Sequence, residues 1–154
     1  MSLDTAQAGL LQPFNLQVTS GPLAVRKALE GVFDRLTPLA LDVEEASTVE
    51  LVLAEALNNI VEHAYPASDA SGLIQLQMDH RKDGLHVQLS DWGRAMPDAK
   101  IPKGQLEPCR DNVMDLPEGG FGWFLIKDLS RDVEYLRIDG KNQLKLRIAV
   151  AFRT

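Results

Sequence analysis

The segment from Asp42 to Tyr65 constrains the fold most, because it predicts a long helix that is apolar over most of its girth. Asp42 and Glu45 have the spacing of a capping box at the helix start, and Pro66 ends the helix after Tyr65. The main apolar stripe consists of Ala46, Val49, Leu53, Leu57, Ile60 and Ala64, and other faces carry Leu51, Val52 and Val61. A helix of this kind has to be covered by another layer of the protein.

The covering layer is predicted to be a sheet that contains two hairpins. Asp83-Gly84 and Asp139-Gly140 each have the Asp-Gly pattern of a tight turn next to alternating runs. The alternating apolar residues are Phe14, Leu16, Val18, Ile74, Leu76, Met78, Leu85, Val87, Leu89, Leu144, Leu146, Ile148, Val150 and Phe152. A further helix follows Pro22, with Val25, Leu29, Val32, Phe33 and Leu36 at helical spacing. These patterns predict an α+β two-layer sandwich, in which helices cover one face of a mixed, mainly antiparallel sheet.

The length of 154 residues fits one domain. We expect a single domain at residues 13–154, preceded by a flexible N-terminal segment at residues 1–12. Residues 96–118 show no sustained periodicity and contain Pro97, Pro102, Pro108 and Pro117. Long loops of this kind inside compact domains are often lids or binding loops, so we predict a lid here.

Composition excludes several classes of function. No apolar run approaches the roughly 20 residues that span a bilayer, so we expect no membrane association. The net charge of -6 argues against direct nucleic-acid binding, which would need clustered Lys and Arg. The N-terminus lacks the order of a secretion signal, and the single cysteine, Cys109, fits a reducing compartment. The predicted location is the cytoplasm.

Glu55 and Asn59 are four positions apart, so they are neighbours on one face of the long helix, which we expect to point away from the main apolar stripe. An isolated Glu-x-x-x-Asn pattern is usually a solvated polar face, but the apolar Leu51 and Val52 flank this pair. The Glu55 carboxylate can act as a general base, and the Asn59 amide oxygen is a suitable ligand for Mg²⁺ beside phosphate oxygens. His63, one turn further, either contacts phosphate or caps the helix end. The pairing of Glu55 with Asn59 suits phosphoryl transfer from a magnesium nucleotide.

Asp91 continues the alternation of the run from Leu85 to Leu89, which places it on the inward face of its strand. A buried aspartate needs a partner. It is either part of a salt bridge or turn cap, or an acceptor for the exocyclic amine of adenine. In the second interpretation Gly93 lets the backbone approach the base, and Met96 either lines the base pocket or belongs to the core.

A glycine cluster, Gly119, Gly120, Phe121 and Gly122, precedes an apolar run from Trp123 that predicts the start of a helix. Glycines allow close backbone approach, and the free amides of a helix N-terminus favour phosphate. The cluster is not a Walker motif, because no Gly-Lys-Ser/Thr follows it, and it is not a Rossmann fingerprint, because no strand precedes it. It is either a phosphate-binding segment or the flexible end of a loop.

Three motifs in this order resemble the asparagine box and the two glycine boxes of the GHKL ATPase superfamily. They span Glu55–Tyr65, Asp91–Pro97 and Gly119–Ile126. Within the superfamily, the chain most resembles bacterial anti-sigma factor serine/threonine-protein kinases, whose acidic residue and tyrosine after the last box are matched within Asp132–Tyr135. The resemblance covers most of the chain, from about Phe14 to Phe152.

The resemblance implies a Bergerat fold that holds ATP between the helices and the sheet under a mobile lid. It implies Glu55 as the base toward a substrate serine, Asn59 as the Mg²⁺ ligand and Asp91 as the acceptor from adenine. It also implies backbone contacts from Gly120 and Gly122 to phosphate. The implied substrate is a serine on a small antagonist protein, and the kinase of such families alternates between binding that antagonist and binding a sigma factor. Homodimers are common among such proteins.

Two alternative functions stay open at this level. One is a nucleotide-binding interaction module that sequesters a regulatory partner without phosphotransfer, although such a module would not need the base Glu55. The other is a standalone ATPase or a detached histidine-kinase ATPase domain, since histidine kinases share the same boxes. We expect no phospho-accepting dimerisation helices in a chain of this length. The first glycine box also departs from the family pattern, because Arg94-Ala95 follows Gly93 where a second glycine is usual.

Overall fold

The computed structural model of the chain describes residues 10–65, 72–95 and 118–152. Within these ranges the strands are β1 (Phe14–Thr19), β2 (Leu73–Arg81), β3 (Gly84–Asp91), β4 (Arg131–Ile138) and β5 (Lys141–Ile148). The α-helices are α1 (Ala24–Arg35), α2 (Val43–Asn59) and α3 (Glu118–Leu129). The strand order is β1-β2-β3-β5-β4, and every pairing between these neighbours is antiparallel. The predicted two-layer sandwich is confirmed, with a sheet that is antiparallel throughout the described residues rather than mixed.

The core lies between the sheet and the helices. The predicted inward positions of the central hairpin are buried, namely Ile74, Leu76, Met78, Leu85, Val87 and Leu89. From α2 the buried apolar residues are Val49, Val52, Leu53, Ala56 and Leu57. The predicted helix stripe is therefore confirmed except at Ala46, which is only half-buried near the exposed start of α2. Burying each large apolar side chain stabilises the fold by about 1.5–3 kcal/mol relative to leaving it exposed.

Both predicted hairpins are present, but the first turns at Lys82-Asp83, one residue before the predicted Asp83-Gly84, because Gly84 already pairs with Arg81. Asp139 and Gly140 have φ angles of 51° and 80°, so both central residues of the second turn adopt the left-handed conformation that a tight hairpin requires. Gly84 follows the first turn with a φ of 135°, and a Cβ there would lie 2.7 Å from the carbonyl oxygen of Ile148. Glycine is therefore needed at position 84 for both conformation and space.

The predicted capping box at the start of α2 is also present. The Glu45 amide donates to Asp42 Oδ1 at 2.7 Å, and the Asp42 amide donates to Glu45 Oε1 at 3.1 Å. The second carboxylate oxygen of Glu45 accepts a hydrogen bond from the Ala151 amide at 2.9 Å. This bond joins the segment after β5 to the helix, and the strand ends at Ile148 instead of at the predicted Phe152.

The long predicted helix is not a continuous α-helix to Tyr65. α2 ends at Asn59 and continues as a π-helix over Ile60–Ala64, in which the Tyr65 amide donates to the Ile60 carbonyl oxygen at 3.2 Å. Apolar spacing did not predict this change, because Ile60 and Ala64 are buried in the π-helix just as a continuous α-helix predicted. Short π segments inside helices are rare and frequently occur at functional sites.

Helix α3 begins at Glu118, whereas the apolar run predicted a start at Trp123. The glycine cluster thus lies in the first turns of the helix. Because glycine has a low helix propensity, the sequence did not predict a helix over these residues. The predicted lid, residues 96–118, otherwise lies outside the described residues. Leu11, in the segment 1–12, is buried against the core. None of the helices in the described ranges has the length and apolarity required to cross a bilayer.

Candidate nucleotide-binding site

One cleft lies where the end of α2 and the π-helix meet α3 and strands β3 and β5. Its cavity volume is about 30 Å³, within a wider space of about 400 Å³ that includes open solvent. Its apolar walls include Ala56, Ile60, Leu89, Trp123 and Leu144. The polar residues that line it include Asn59, His63, Asp91, Arg94 and Asn142. Apolar walls with a few convergent polar groups are typical of small-molecule sites.

Asn59 is buried in this cleft, with 6% of its surface exposed. The prediction that it faces away from the buried side of the helix is wrong, because α3 packs on α2 in addition to the sheet layer. Asn59 Nδ2 donates to the Glu55 carbonyl oxygen at 2.8 Å. A carbonyl can only accept, so this bond fixes the orientation of the amide. It leaves Asn59 Oδ1, the atom suited to a metal ion, with no donor from the described part of the chain.

Glu55 lies one turn before Asn59, and its side chain is half-buried. It is not among the residues that line the cleft. The structure therefore places the predicted Mg²⁺ ligand inside the cleft and the predicted base outside it, accessible from solvent. A base in such a position is suited to a hydroxyl group that a second molecule brings to the site.

Asp91 is buried at the end of β3, as predicted, with 4% of its surface exposed. Its Oδ1 accepts hydrogen bonds from Asn142 Nδ2 at 2.7 Å and from the Gly93 amide at 2.9 Å. Burial raises the pKa of the Asp91 carboxyl, while these two donors and the charge of Arg137 act in the opposite direction. Oδ2 has no hydrogen-bond partner within the described ranges and is the oxygen available to a ligand.

Asn142 is the buried partner of Asp91 that sequence reasoning did not identify. Its Oδ1 accepts hydrogen bonds from the Tyr135 hydroxyl and from Arg137 Nη1, each at 2.7 Å. Its Nδ2 also donates to the Arg94 carbonyl oxygen at 3.0 Å. The signal was in the alternation of β5, because Asn142 precedes Leu144 and Leu146 at the same spacing of two. Direct cross-strand pairing with Asp91 became visible only in the sheet register.

Gly93 is required at its position by close packing. A Cβ on Gly93 would lie 2.2 Å from the carbonyl oxygen of Ala64. The next amide, of Arg94, donates to that same oxygen at 2.9 Å. Gly93 thus permits the segment after β3 to lie directly against the end of the π-helix. That Gly93 also lets the backbone approach an adenine base stays a prediction.

The remaining predicted residues are distributed around this site. His63 is exposed and lines the cleft. Met96 lies outside the described residues. Gly119, Gly120, Phe121 and Gly122 belong to the first turns of α3, whose later residue Trp123 is buried against the cleft. The described ranges contain no group of three or more His, Cys, Asp or Glu residues arranged to hold a metal ion.

This sheet, its helix layer and the cleft between them fit a nucleotide-binding domain of the ATPase type, and the sequence shows the family. The chain belongs to the histidine kinase-like ATPase domain family, whose profile matches residues 18–148. The resemblance to this superfamily that the three boxes indicated is thereby confirmed.

The curated relatives specify the class further. A serine-protein kinase RsbW of Staphylococcus epidermidis is 33% identical over 118 residues, which are 75% of this chain and 72% of the relative. A serine-protein kinase RsbW of Staphylococcus aureus is 31% identical over the same number of residues and with the same coverage of both chains. This chain is thus similar to protein kinases within the family.

Solved structures support the fold alone. The crystal structure of the RsbU and RsbW domains of Rv1364c from Mycobacterium tuberculosis matches with a TM-score of 0.60 at 17% identity. The match covers 93% of this chain but only 35% of the solved one. A blue-light activated histidine kinase of Erythrobacter litoralis matches with a TM-score of 0.53 at 24% identity, over 72% of this chain and 32% of the other.

Proposed function

We propose that this chain is an ATP-dependent serine/threonine-protein kinase that acts as an anti-sigma factor-type regulator in a partner-switching pathway. Its substrate is a serine on a small antagonist protein. The observation that carries the proposal is that a buried carboxylate, Asp91, and an oriented amide, Asn59, line one cleft. Similarity to curated serine-protein kinases over 75% of the chain supports the kinase class.

Adenine recognition falls to Asp91. Because Oδ1 already accepts two hydrogen bonds, Oδ2 is the atom that accepts from the exocyclic amine of the base. An ionised carboxylate only accepts hydrogen bonds, so it favours the amine of adenine over the carbonyl of guanine at the same position. The apolar walls at Ile60, Leu89 and Leu144 suit the faces and edges of a planar base.

The residues present also fit a magnesium ion. Mg²⁺ in nucleotide sites commonly takes one or two protein oxygens and completes its shell with phosphate oxygens and water. Asn59 supplies one such oxygen, and its amide orientation is already fixed by the bond to Glu55. When bound, the ion neutralises negative charge on the phosphates during transfer.

Phosphate binding falls to the start of α3 and to His63. The free amides of a helix belong to its first turn, so those of Gly119 and Gly120 are better placed for phosphate than that of Gly122. Phe121 is a cofactor-binding candidate by its position in the same turn. His63 lines the cleft one turn beyond Asn59 and serves as a further phosphate contact.

Glu55 acts as the general base in transfer. It takes the proton of the serine hydroxyl while the serine oxygen forms a bond to the γ-phosphorus. The bond between that phosphorus and the β–γ bridging oxygen breaks, and ADP leaves with the electron pair. The products are phosphoserine on the antagonist and ADP.

We further propose a sigma factor as the second partner and a homodimer as the working assembly. The unphosphorylated antagonist and the sigma factor would compete for the kinase, and phosphorylation would release the antagonist. Support for these partners comes from the resemblance to anti-sigma factor kinases. The competition is testable once both partners are in hand, because the antagonist should displace the sigma factor in its unphosphorylated form alone.

The first test is MgATP binding by calorimetry. We expect the wild type to bind and both Asn59→Ala and Asp91→Ala to lose at least about tenfold in affinity, which corresponds to about 1.4 kcal/mol. Asn58→Ala is the matched control, because Asn58 is exposed on the same helix and should leave affinity unchanged. Absence of binding in the wild type would contradict a nucleotide function. Binding without transfer of the γ-phosphate to any antagonist protein of the same genome would instead favour the interaction module.

A further inference from the structure

The segment after β3 is tied down at three consecutive amides. The Trp92 amide donates to the Tyr65 hydroxyl at 2.8 Å, and the Gly93 amide donates to Asp91 Oδ1 at 2.9 Å. The Arg94 amide donates to the Ala64 carbonyl oxygen at 2.9 Å. Of these three acceptors, Ala64 ends the π-helix and Tyr65 is the residue that follows it. The backbone next to Asp91 is therefore held by the helix layer and not by the sheet alone.

Tyr65 makes this link through a hydroxyl with two defined partners. The hydroxyl accepts from the Trp92 amide and donates to the Leu73 carbonyl oxygen, both at 2.8 Å. It thereby bridges the end of β3 and the start of β2. The ring is buried, and a Cβ added to Gly72 would lie 2.2 Å from its Cε1 atom. Burial also raises the pKa of the Tyr65 hydroxyl, which keeps the donating proton in place at neutral pH.

The π-helix joins this bridge to the other half of the site. Asn59 ends α2, the π-helix follows it directly, and Tyr65 comes immediately after the π-helix. One continuous segment thus carries the amide assigned to the metal at one end and the hydroxyl that holds the Asp91 segment at the other. A change in the position of the Tyr65 hydroxyl would alter the placement of Asp91 relative to Asn59.

We propose that Tyr65 is a positioning residue for base selectivity, which holds the Asp91 carboxylate in register with Asn59 through its hydroxyl bridge to Trp92 and Leu73. The inference rests on the proposed function, since it concerns how that nucleotide site is held in shape. Tyr65 does not itself line the cleft, so it acts through the backbone of Trp92, which follows Asp91, and of Leu73, whose neighbour Ile74 pairs with Asp91. The hydroxyl bridge contacts only the backbone of Trp92 and Leu73, neither of which is assigned to phosphate.

The test is the ratio of the dissociation constants for MgGTP and MgATP, measured by calorimetry on Tyr65→Phe. This variant keeps the ring and removes only the hydroxyl. We expect MgATP affinity to fall about tenfold with little change for MgGTP, so that the ratio falls about tenfold. A merely structural role would weaken both nucleotides alike. Ser130→Ala is the matched control, because Ser130 is a buried hydroxyl that donates to the Ile126 carbonyl and should leave the ratio unchanged.

A second variant tests the same bridge without removing the hydroxyl. Gly72→Ala would push the Tyr65 ring from its position and should lower the ratio in the same direction. Both variants are measured well below their unfolding temperatures, so that lower stability does not mimic lower affinity. An unchanged ratio in a folded Tyr65→Phe that still binds MgATP would overturn the positioning role and leave the proposed function intact. A wild type that binds neither nucleotide would overturn both.

Discussion

Asp91 is a buried carboxylate whose pKa is raised chiefly by loss of hydration. Burial raises its pKa because the ionised form loses hydration, and the hydrogen bonds from Asn142 and Gly93 offset only part of that loss. An ordinary core would place an apolar or neutral residue here. A role in ligand binding would explain why a carboxylate is present here, and apolar burial elsewhere in the core offsets its unfavourable desolvation.

Replacing Asp91 with asparagine should separate stability from binding. The new amide oxygen can still accept from the Gly93 amide and from Asn142 Nδ2, so the free energy of unfolding at pH 7 should equal or exceed that of the wild type. MgATP affinity should fall at least about tenfold, because an NH₂ group would then face the amine of adenine. Chemical denaturation and calorimetry on the same samples measure both quantities.

The stability difference should also depend on pH. The folded pKa of Asp91 lies above the ordinary value of 3.8, so the wild type loses stability as the pH rises from 3.8 through the folded pKa. The advantage of Asp91→Asn in unfolding free energy should be present at pH 7 and should disappear as the pH falls toward 3.8. A difference that stays constant over this range would contradict a raised pKa.

The environment of a residue was predictable from the sequence where a buried polar side chain needed a hydrogen-bond partner. The inward position of Asp91 predicted burial and the need for a partner, and both are found. The identity of that partner was not predictable, because Asn142 is far away in the chain and faces Asp91 only through the pairing of β3 with β5. Asn59 was misplaced for a related reason, since helix periodicity does not reveal a second covering element such as α3.

At the scale of elements, the contact between the Asp91–Arg94 segment and the π-helix shapes the site. Gly93→Ala should disrupt it, because a Cβ 2.2 Å from the Ala64 carbonyl oxygen forces backbone to move. We expect the free energy of unfolding to fall by about 2 kcal/mol or more, with weaker MgATP binding. Thermal and chemical denaturation measure the first effect, and calorimetry measures the second.

Gly31→Ala provides the control for Gly93→Ala. Gly31 lies within α1, and the nearest atoms to a Cβ there all belong to the Leu16 side chain, with Cδ1 the closest at 3.1 Å. That contact can relax, and alanine favours helix over glycine by about 1 kcal/mol. Stability should therefore change little or rise. Equal losses in the two variants would show that close packing at Ala64 has no special role.

Elements were predictable in number and type, and less so in their limits. The capping box and the Asp139-Gly140 turn are local signals that are found at the predicted residues, whereas the first hairpin turns one residue earlier than predicted. The change to a π-helix after Asn59 and the early start of α3 at Glu118 were not predicted. Neither leaves a distinct pattern of apolar spacing in the sequence.

At the scale of the whole molecule, the cleft sits at one end of the sheet, where β3 ends and β5 begins. The opposite end of β3 carries an exposed group of ions, in which Arg147 contacts both Asp83 and Asp132. The fold class and the boxes predicted a ligand site between the helices and the sheet, and Asn59 and Asp91 line a cleft between these layers. The hydrogen bonds inside that cleft required the structure.

Glu55 decides whether the molecule acts as an enzyme or only as a binder. Because its side chain is half-buried and outside the cleft lining, Glu55→Gln should leave the MgATP dissociation constant within about twofold. Transfer of the γ-phosphate to the antagonist serine should fall by about 10²–10⁴, the range expected for loss of a general base. Calorimetry and single-turnover transfer of labelled phosphate measure the two effects separately.

Glu62→Gln is the matched control, because Glu62 is an exposed carboxylate in the π-helix that follows Asn59. It should retain both binding and transfer. If Glu55→Gln kept full transfer, the base would have to be another group, and the solvated face on which Glu55 lies would have no catalytic role. If the wild type itself bound MgATP tightly and transferred nothing, the intact carboxylate would be insufficient for catalysis, and sequestration of a partner under nucleotide control would be the activity that the cleft supports.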